Sequence, residues 1–394
     1  MKKIIFSLFF LLCICGCWNY KELNEYSIVT GIAIDKSDEG YKVSTLISNV
    51  PKGGNGSDSS SSNSEIVVYE GKGKSITEAL KDIGLISPKE LYLNSFYILV
   101  ISEDVAKEGI GNALDFFLKY SSSRNNFNVI ITKQCSAKDA LKIMTSITKF
   151  PSQSIADNLR TTSELQGAIK TVSFDDLIST IIKKGIDPTI STITIIGNVE
   201  EGFTKGNLES SEPKAYVKLD NLAIFKDDKL IDFATHEESI GINILSNDIN
   251  EMYFDIDYNN GLVIIDTISF KSSLKVNIIN DSPVVDIILS GQARVIETEG
   301  NIDLESDRVI EEIQKKSNEK IIMFVKEAIE VSKKDKADVL GIGKEIYENH
   351  PKYYEKIKNN LDYIYEKTQF NIESNLILNN KVSVKNSLEE SYDR

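Results

Sequence analysis

Histidine is scarce in this 394-residue chain: His236 and His350 are the two it has, each beside an expected helix start. Neither has a partner at metal-ligand spacing, so no metal site is expected. No serine stands in a Gly-x-Ser-x-Gly elbow. Positive charge is also short, with 45 Lys and Arg against 59 Asp and Glu and a formal charge of −14. A surface that acidic repels nucleic acid and anionic headgroups, so neither is expected as a broad ligand. With so many acids, carboxylate pairs arise by chance. Asp175-Asp176, Asp227-Asp228 and Glu237-Glu238 read as solvated turns and helix starts. Past the first 16 residues no apolar run nears the roughly 20 residues a spanning helix needs. What is present is ordinary: 41% hydrophobic and 26% charged residues, as in a globular protein, over a length that suits two or three domains.

The N-terminus is the most specific stretch. Lys2 and Lys3 precede an apolar run, Ile4 to Ile14, which ends in Ile14-Cys15-Gly16-Cys17. This is the pattern of an export signal closed by a lipobox, with residues 1–16 as signal peptide and Cys17 as the acylated thiol. The alternative is a soluble secreted protein in which Cys17 is incidental. Losing Lys2 and Lys3 with the signal lowers the charge by two, to −16. Cys13 and Cys15 leave with the signal and Cys17 takes lipid, so Cys135 is left and no internal disulfide can form. Cys135 closes the apolar run Val129-Ile130-Ile131 and reads as a small core residue. Trp18, Tyr20 and Glu22 follow the lipid site directly and are candidates for membrane or partner contact.

The rest of the chain alternates strand and helix patterns, an α+β arrangement. Residues 27–35 and 41–50 read as paired strands, and the Gly/Ser-rich stretch 52–64 as a mobile loop between strands. Strands follow at 65–70, 97–102 and 128–132, and helices at 75–83, 110–119, 137–147 and 173–184. Lys183-Lys184-Gly185-Ile186-Asp187-Pro188 is a turn-rich boundary, giving a first domain over 17–187. A small middle domain over 188–260 carries strands at 191–199 and 216–226, a turn at 226–229 and a helix from about 237 to 245. The last, 261–394, offers strands at 262–270, 273–280 and 284–297, a helix at about 304–332, another at 351–366 and a closing strand at 371–384. On the long helix Ile310, Ile313, Ser317, Ile321, Phe324, Ala328 and Val331 recur at three- and four-residue steps, a stripe expected to pack on the adjoining sheet.

Gly71-Lys72-Gly73-Lys74-Ser75 is the nearest approach to a phosphate loop. It lacks the first glycine of that motif, because Val68 stands there, and a turn with Ser75 capping a helix explains the same residues. Asp35, ending an apolar strand, reads as structural. Gly341 and Gly343 read as turn and close-packing positions.

A cysteine followed by Trp18, then Glu22-Leu23-Asn24 and Gly31-Ile32-Ala33-Ile34-Asp35, resembles the start of the Ger(x)C spore germination lipoproteins, the C subunits of nutrient germinant receptors. Leu222 to Leu230 with Glu237-Glu238, Asp338-Val339-Leu340-Gly341-Ile342-Gly343, and Ala106 to Leu114 with Arg124 are similar to the family as well. Tyr353 and Tyr354 stand where members often carry tryptophan. The resemblance implies three α+β domains outside the membrane and a complex with two integral membrane subunits, a large A-type and a permease-like B-type. It places the protein at the inner membrane of the spore, held on the outer face by its lipid. The residues themselves offer no recognisable active site, so neither cofactor nor catalysis is expected. Two alternatives stay open at this point. A solute-binding lipoprotein of a transporter would show a repeated βαβ pattern, which is lacking. A cell-wall hydrolase would need a general acid and base in a cleft.

Overall fold

The structure, a computed structural model, describes residues 25–48, 66–120, 126–145, 147–148, 150–249, 251–358 and 364–379. The signal, Cys17, Trp18, Tyr20, Glu22, the loop 52–64, Arg124 and the chain beyond 379 lie outside the described residues. The architecture is α+β, with strands gathered in two sheets.

The first sheet begins as a hairpin of β1 (Tyr26–Ser37) and β2 (Gly40–Ser48), extended by β3 (Ile66–Gly73). On its other side β1 runs parallel to the short β4 (Glu90–Tyr92) and to β5 (Ile98–Ile101), which is followed in the sheet by β6 (Asn128–Thr132) and β7 (Thr189–Gly197). Antiparallel β8 (Ala215–Lys226) and β9 (Lys229–Phe233) complete the order β3-β2-β1-β5-β6-β7-β8-β9. The expected boundary at 187 and 188 therefore falls between β6 and β7, two neighbouring strands of one sheet. In β5 and β6 the nearly unbroken Ile, Val and Leu content follows from burial on both faces, as a parallel sheet requires.

Helices cover the two faces unequally. One face takes α1 (Ile76–Gly84), α2 (Glu103–Glu108) and α3 (Gly111–Lys119). The other takes α4 (Ala137–Lys142) and α5 (Pro151–Leu165), while α6 (Phe174–Ile182) returns to the first face. Under the first face Phe96, Phe117, Phe127 and Phe174 stack with ring centroids 4.2 to 6.2 Å apart. Such tilted and edge-on pairs add to what their buried area gives. The helix at 110–119 starts and ends within a residue of expectation, whereas that at 137–147 stops at Lys142. Two small helices, α7 (Val199–Gly202) and α8 (Lys205–Glu209), fill the β7–β8 connection.

The link to the second sheet is α9 (His236–Ser246), closed by a capping box between Thr235 and Glu238. Seven successive residues, Ser239 to Leu245, are buried, so this helix is covered all round. It crosses α10 (Asp307–Asp335) so closely that a Cβ on Gly241 would lie 1.9 Å from the Phe324 carbonyl oxygen. The second sheet has order β10-β11-β12-β13: β10 (Tyr253–Tyr258), β11 (Gly261–Ile279), β12 (Ser282–Glu299) and β13 (Gln369–Leu378). The two strands expected at 262–270 and 273–280 are one. The polar run Lys271-Ser272-Ser273 breaks the apolar alternation without breaking the ladder, which pairs Ser269 to Ile279 with Ser282 to Gln292. Asn247 takes the place of a neighbouring strand there, bonding both the N–H and the carbonyl of Ser272.

The stripe expected on the long helix is the buried one: Ile310, Ile313, Ser317, Ile321, Phe324, Ala328 and Val331 all face the core. After it come α11 (Ile342–Asn349), α12 (Pro351–Ile357) and α13 (Ile364–Lys367).

Candidate functional site

A groove of about 1070 Å³ lies on the first sheet's helical face, between α1, α3 and the segment 87–93. Its floor and walls are apolar, with Leu80 and Ile76 from α1, Phe116 and Tyr120 from the end of α3, and Leu91 and Leu93 from the strand side. Phe116 and Tyr120 are stacked at 5.4 Å. Burial, helped by the charge of Glu90, pushes the Tyr120 phenol above its usual range. Lys74, Lys81, Lys89 and Lys119 line the groove together with Glu90 and Asp115, and Lys119 pairs with Asp115. An apolar trough edged by a few polar groups is the usual form of a binding site.

The glycine-rich turn at its upper end has another task. A Cβ on Gly71 would meet the Ala79 carbonyl oxygen at 2.2 Å, and one on Gly73 the Glu78 Cβ at 2.5 Å. These glycines let α1 lie close on β3. Ser75 accepts from the Glu78 N–H, Glu78 accepts from the Lys74 N–H, and Asp82 accepts from that of Lys72. Carboxylates thus fill the place a phosphate would need, and Ser75 is the cap the sequence indicates.

A second, polar crevice of about 480 Å³ opens where the parallel strands end, among Asp35, Lys36, Glu70, Ser102, Glu103, Gln134, Cys135 and Lys138. The helix after β5 goes to one face and the helix after β6 to the other, and crevices form at such switch points. Here the charges answer one another. Asp35 accepts from the Ala137 and Lys138 N–H groups at 2.8 and 2.9 Å and so caps α4. Lys138 pairs with Glu70 at 2.9 Å, and Lys36 with Glu108. Burial raises Asp35, against these bonds. Burial also pushes the Cys135 thiol up to about 11, which leaves it a poor nucleophile. Among the described residues no group of three His, Cys, Asp or Glu side chains is placed to hold a metal ion.

The family-like blocks meet in pairs. The turn after β8 reaches α3: Asp228 accepts from the Gly111 N–H at 3.0 Å, and its carbonyl accepts from Ile110 at 2.9 Å. Asp187, in the turn-rich segment before β7, accepts from the Asp338 N–H at 2.8 Å and from Asp227 at 2.8 Å. The buried Asp338 carboxylate takes the Tyr365 hydroxyl and the Gly343 N–H at 2.5 Å each and the Ile342 N–H at 3.0 Å. Gly341 has φ +74°, and Gly343 lies against Gly185, which also has φ +74°, in keeping with turn and close-packing roles. Residues 185–188, 225–229 and 338–343 thus form one joint between the two sheets.

Cys17, Trp18, Tyr20 and Glu22 lie outside the described residues, eight to three positions before the first described one, Glu25. Sequence reasoning did not find the groove, because its walls come from segments near 41, 74–93 and 112–120 that meet only in the fold.

Two family profiles cover most of the chain. "Spore germination protein N-terminal domain" matches residues 19–195, and "Spore germination B3/ GerAC like, C-terminal" matches 220–381. Spore germination protein KC of Bacillus subtilis (strain 168) is 26% identical over 375 residues, 93% of this chain and 92% of that protein. Spore germination protein B3 of the same organism is 22% identical over 377 residues, 94% of this chain and 95% of that one. The crystal structure of the GerBC protein superposes with a TM-score of 0.54 at 16% identity, covering 92% of this chain and 100% of that one, a likeness of fold.

Proposed function

The chain belongs to the Ger(x)C family of spore germination proteins, and from that premise we propose that it is the lipid-anchored C subunit of a nutrient germinant receptor. It is required for nutrient-triggered germination and acts through protein contacts, not catalysis. The observation that carries the reading is the pair of family domains in order over 19–381, directly behind a lipobox at 14–17. In this reading attachment is through acylated Cys17 on the outer face of the inner spore membrane; no helix among the described residues is long and apolar enough to cross a membrane. Its partners are the two integral membrane subunits, the A-type and the permease-like B-type. The groove between α1 and α3 suits a segment of one of them, since its wall strand β4 pairs with Tyr26 to Ile28, nine to eleven residues after Cys17 in the chain. The acid-lined crevice and the interdomain joint supply no catalytic arrangement to this reading, because their carboxylates cap helices and close turns.

The test is Cys17→Ala in spores. The variant is expected to leave the membrane, or to stay uncleaved, and the response to one set of nutrients is expected to disappear. Germination by routes that bypass receptors should persist. A processed variant that stays on membranes lacking the A- and B-type subunits overturns the anchor. Turnover of a small molecule by the purified chain overturns the non-catalytic role.

A further inference from the structure

We propose that the turn 84–88, with Leu85 and Ile86 at its tip, rests in a lipid surface and fixes the protein's orientation on it; this rests on the Cys17 tether. Leu85 is 85% exposed and Ile86 55%, two adjacent aliphatics held out together. The turn is not slack: Leu85 N–H donates to the Asp82 carbonyl at 3.1 Å, Ile86 to Ile83 at 3.0 Å and Ser87 to Ile83 at 2.8 Å. An apolar pair on a backbone that firm costs little ordering when it meets an apolar phase.

Position selects lipid as the occupant. The Ser87 hydroxyl lies 3.3 Å from that of Ser27, and Glu90 to Tyr92 pair with Tyr26 to Ile28. The tip therefore sits beside the first residues of β1. Eight residues separate Tyr26 from Cys17, a span of at most about 30 Å at full extension. An acylated Cys17 thus brings this corner, more than the distant second sheet, to the bilayer. Charge agrees: Lys81 and Lys89 balance Asp82 and Glu90, so the corner is neutral on a chain that anionic headgroups otherwise repel. Lysines flanking an apolar tip can lay their stems along it and keep their heads in the polar zone. Other exposed isoleucines such as Ile288 and Ile377 stand among polar residues on the open face of the second sheet, where no tether leads.

The experiment uses the full lipidated chain in phosphatidylglycerol–phosphatidylethanolamine vesicles, with Cys135→Ser to remove the free thiol. A bimane label is placed at Ile86→Cys or, as control, at Lys315→Cys. With nitroxide-labelled lipid, quenching at position 86 is expected to exceed that at 315 at least threefold. Protein that floats with the vesicles while both labels quench equally overturns the tip and leaves the tether standing. Protein that does not float overturns the tether and the tip with it. Quenching at 86 that vanishes when the membrane subunits are co-reconstituted shows a protein covering the tip, and overturns the lipid assignment.

Discussion

Asp338 is the residue at which chemistry and architecture are most tightly joined. Its carboxylate is buried and receives three hydrogen bonds, which favour the charged form, yet burial outweighs them and the pKa is pushed up to about 6. The sign of the consequence follows from linkage. Native Asp338 holds its proton more strongly than the unfolded chain, whose value is near 3.8, so stability from this group is fully present below about pH 4 and is lost as pH rises from there through 6. The shift of about two units corresponds to about 3 kcal/mol. Asp338→Asn does not titrate. The difference in urea midpoint stability between wild type and this variant is expected to shrink by an amount of that order from pH 4 to pH 7. A difference that stays flat means the carboxyl is not buried in the native joint. Nothing local in Asp-Val-Leu-Gly-Ile-Gly announces this role, because the partners, Asp187 and Tyr365, come from other parts of the chain. Asp35, an acid ending an apolar strand, was legible as structural, but the helix it caps starts 102 residues on, at Ala137, and nothing local announces that contact.

Among the elements, α10 shows what periodicity can carry. Its apolar positions were legible because one face of the helix meets a single surface, and that face is the buried one. Truncating Phe324, 2% exposed and edge-on to Phe254, to alanine is expected to cost about 3–5 kcal/mol. Lys315, whose side chain is 78% exposed, is expected to cost under about 0.5 kcal/mol when changed to alanine. Equal costs in chemical denaturation would place the wrong face inward. Where periodicity was weak, elements were missed. The helix Pro151–Leu165 has one helical pair of aliphatic core residues, Ile155 and Leu159, in an otherwise mostly polar run, too few to show a period, and Pro151 starts it against β1. The edge strand β10 has the clean alternation of a strand with one buried face but is only six residues long. The join of 262–270 to 273–280 was hidden by three polar residues whose ladder partners lie on β12.

At the scale of the whole molecule, the question is how many cooperative units the two sheets make. The division at 187 and 188 rests on turn chemistry, and Gly185 and Pro188 do mark a turn. Yet β7 pairs with β6 through Ile131 with Thr192 and Thr132 with Ile193, and β8 and β9 continue the same sheet. Ile190, Ala223, Phe225 and Leu230 belong to the same buried cluster as Leu99, Ile131 and Phe174. A second cluster runs from Leu222 and Ile224 in the first sheet through α9 to Val263 and Leu289 in the second and Phe324 on α10. Cutting after Asp187 would strip apolar cover from β6, leave its edge open and remove the Asp228 contact to α3. Open apolar edges of that kind recruit other chains. The expected outcome is that residues 25–187 expressed alone aggregate or give no cooperative urea transition, while residues 18–394 unfold in one. Circular dichroism along a urea gradient decides it. A folded 25–187 fragment with a sharp transition would make the segment an autonomous domain, and the joint at Asp187 and Asp338 a docking contact between finished units. A single transition in the long chain alone makes that joint part of one core, with the two sheets folding and unfolding as one unit.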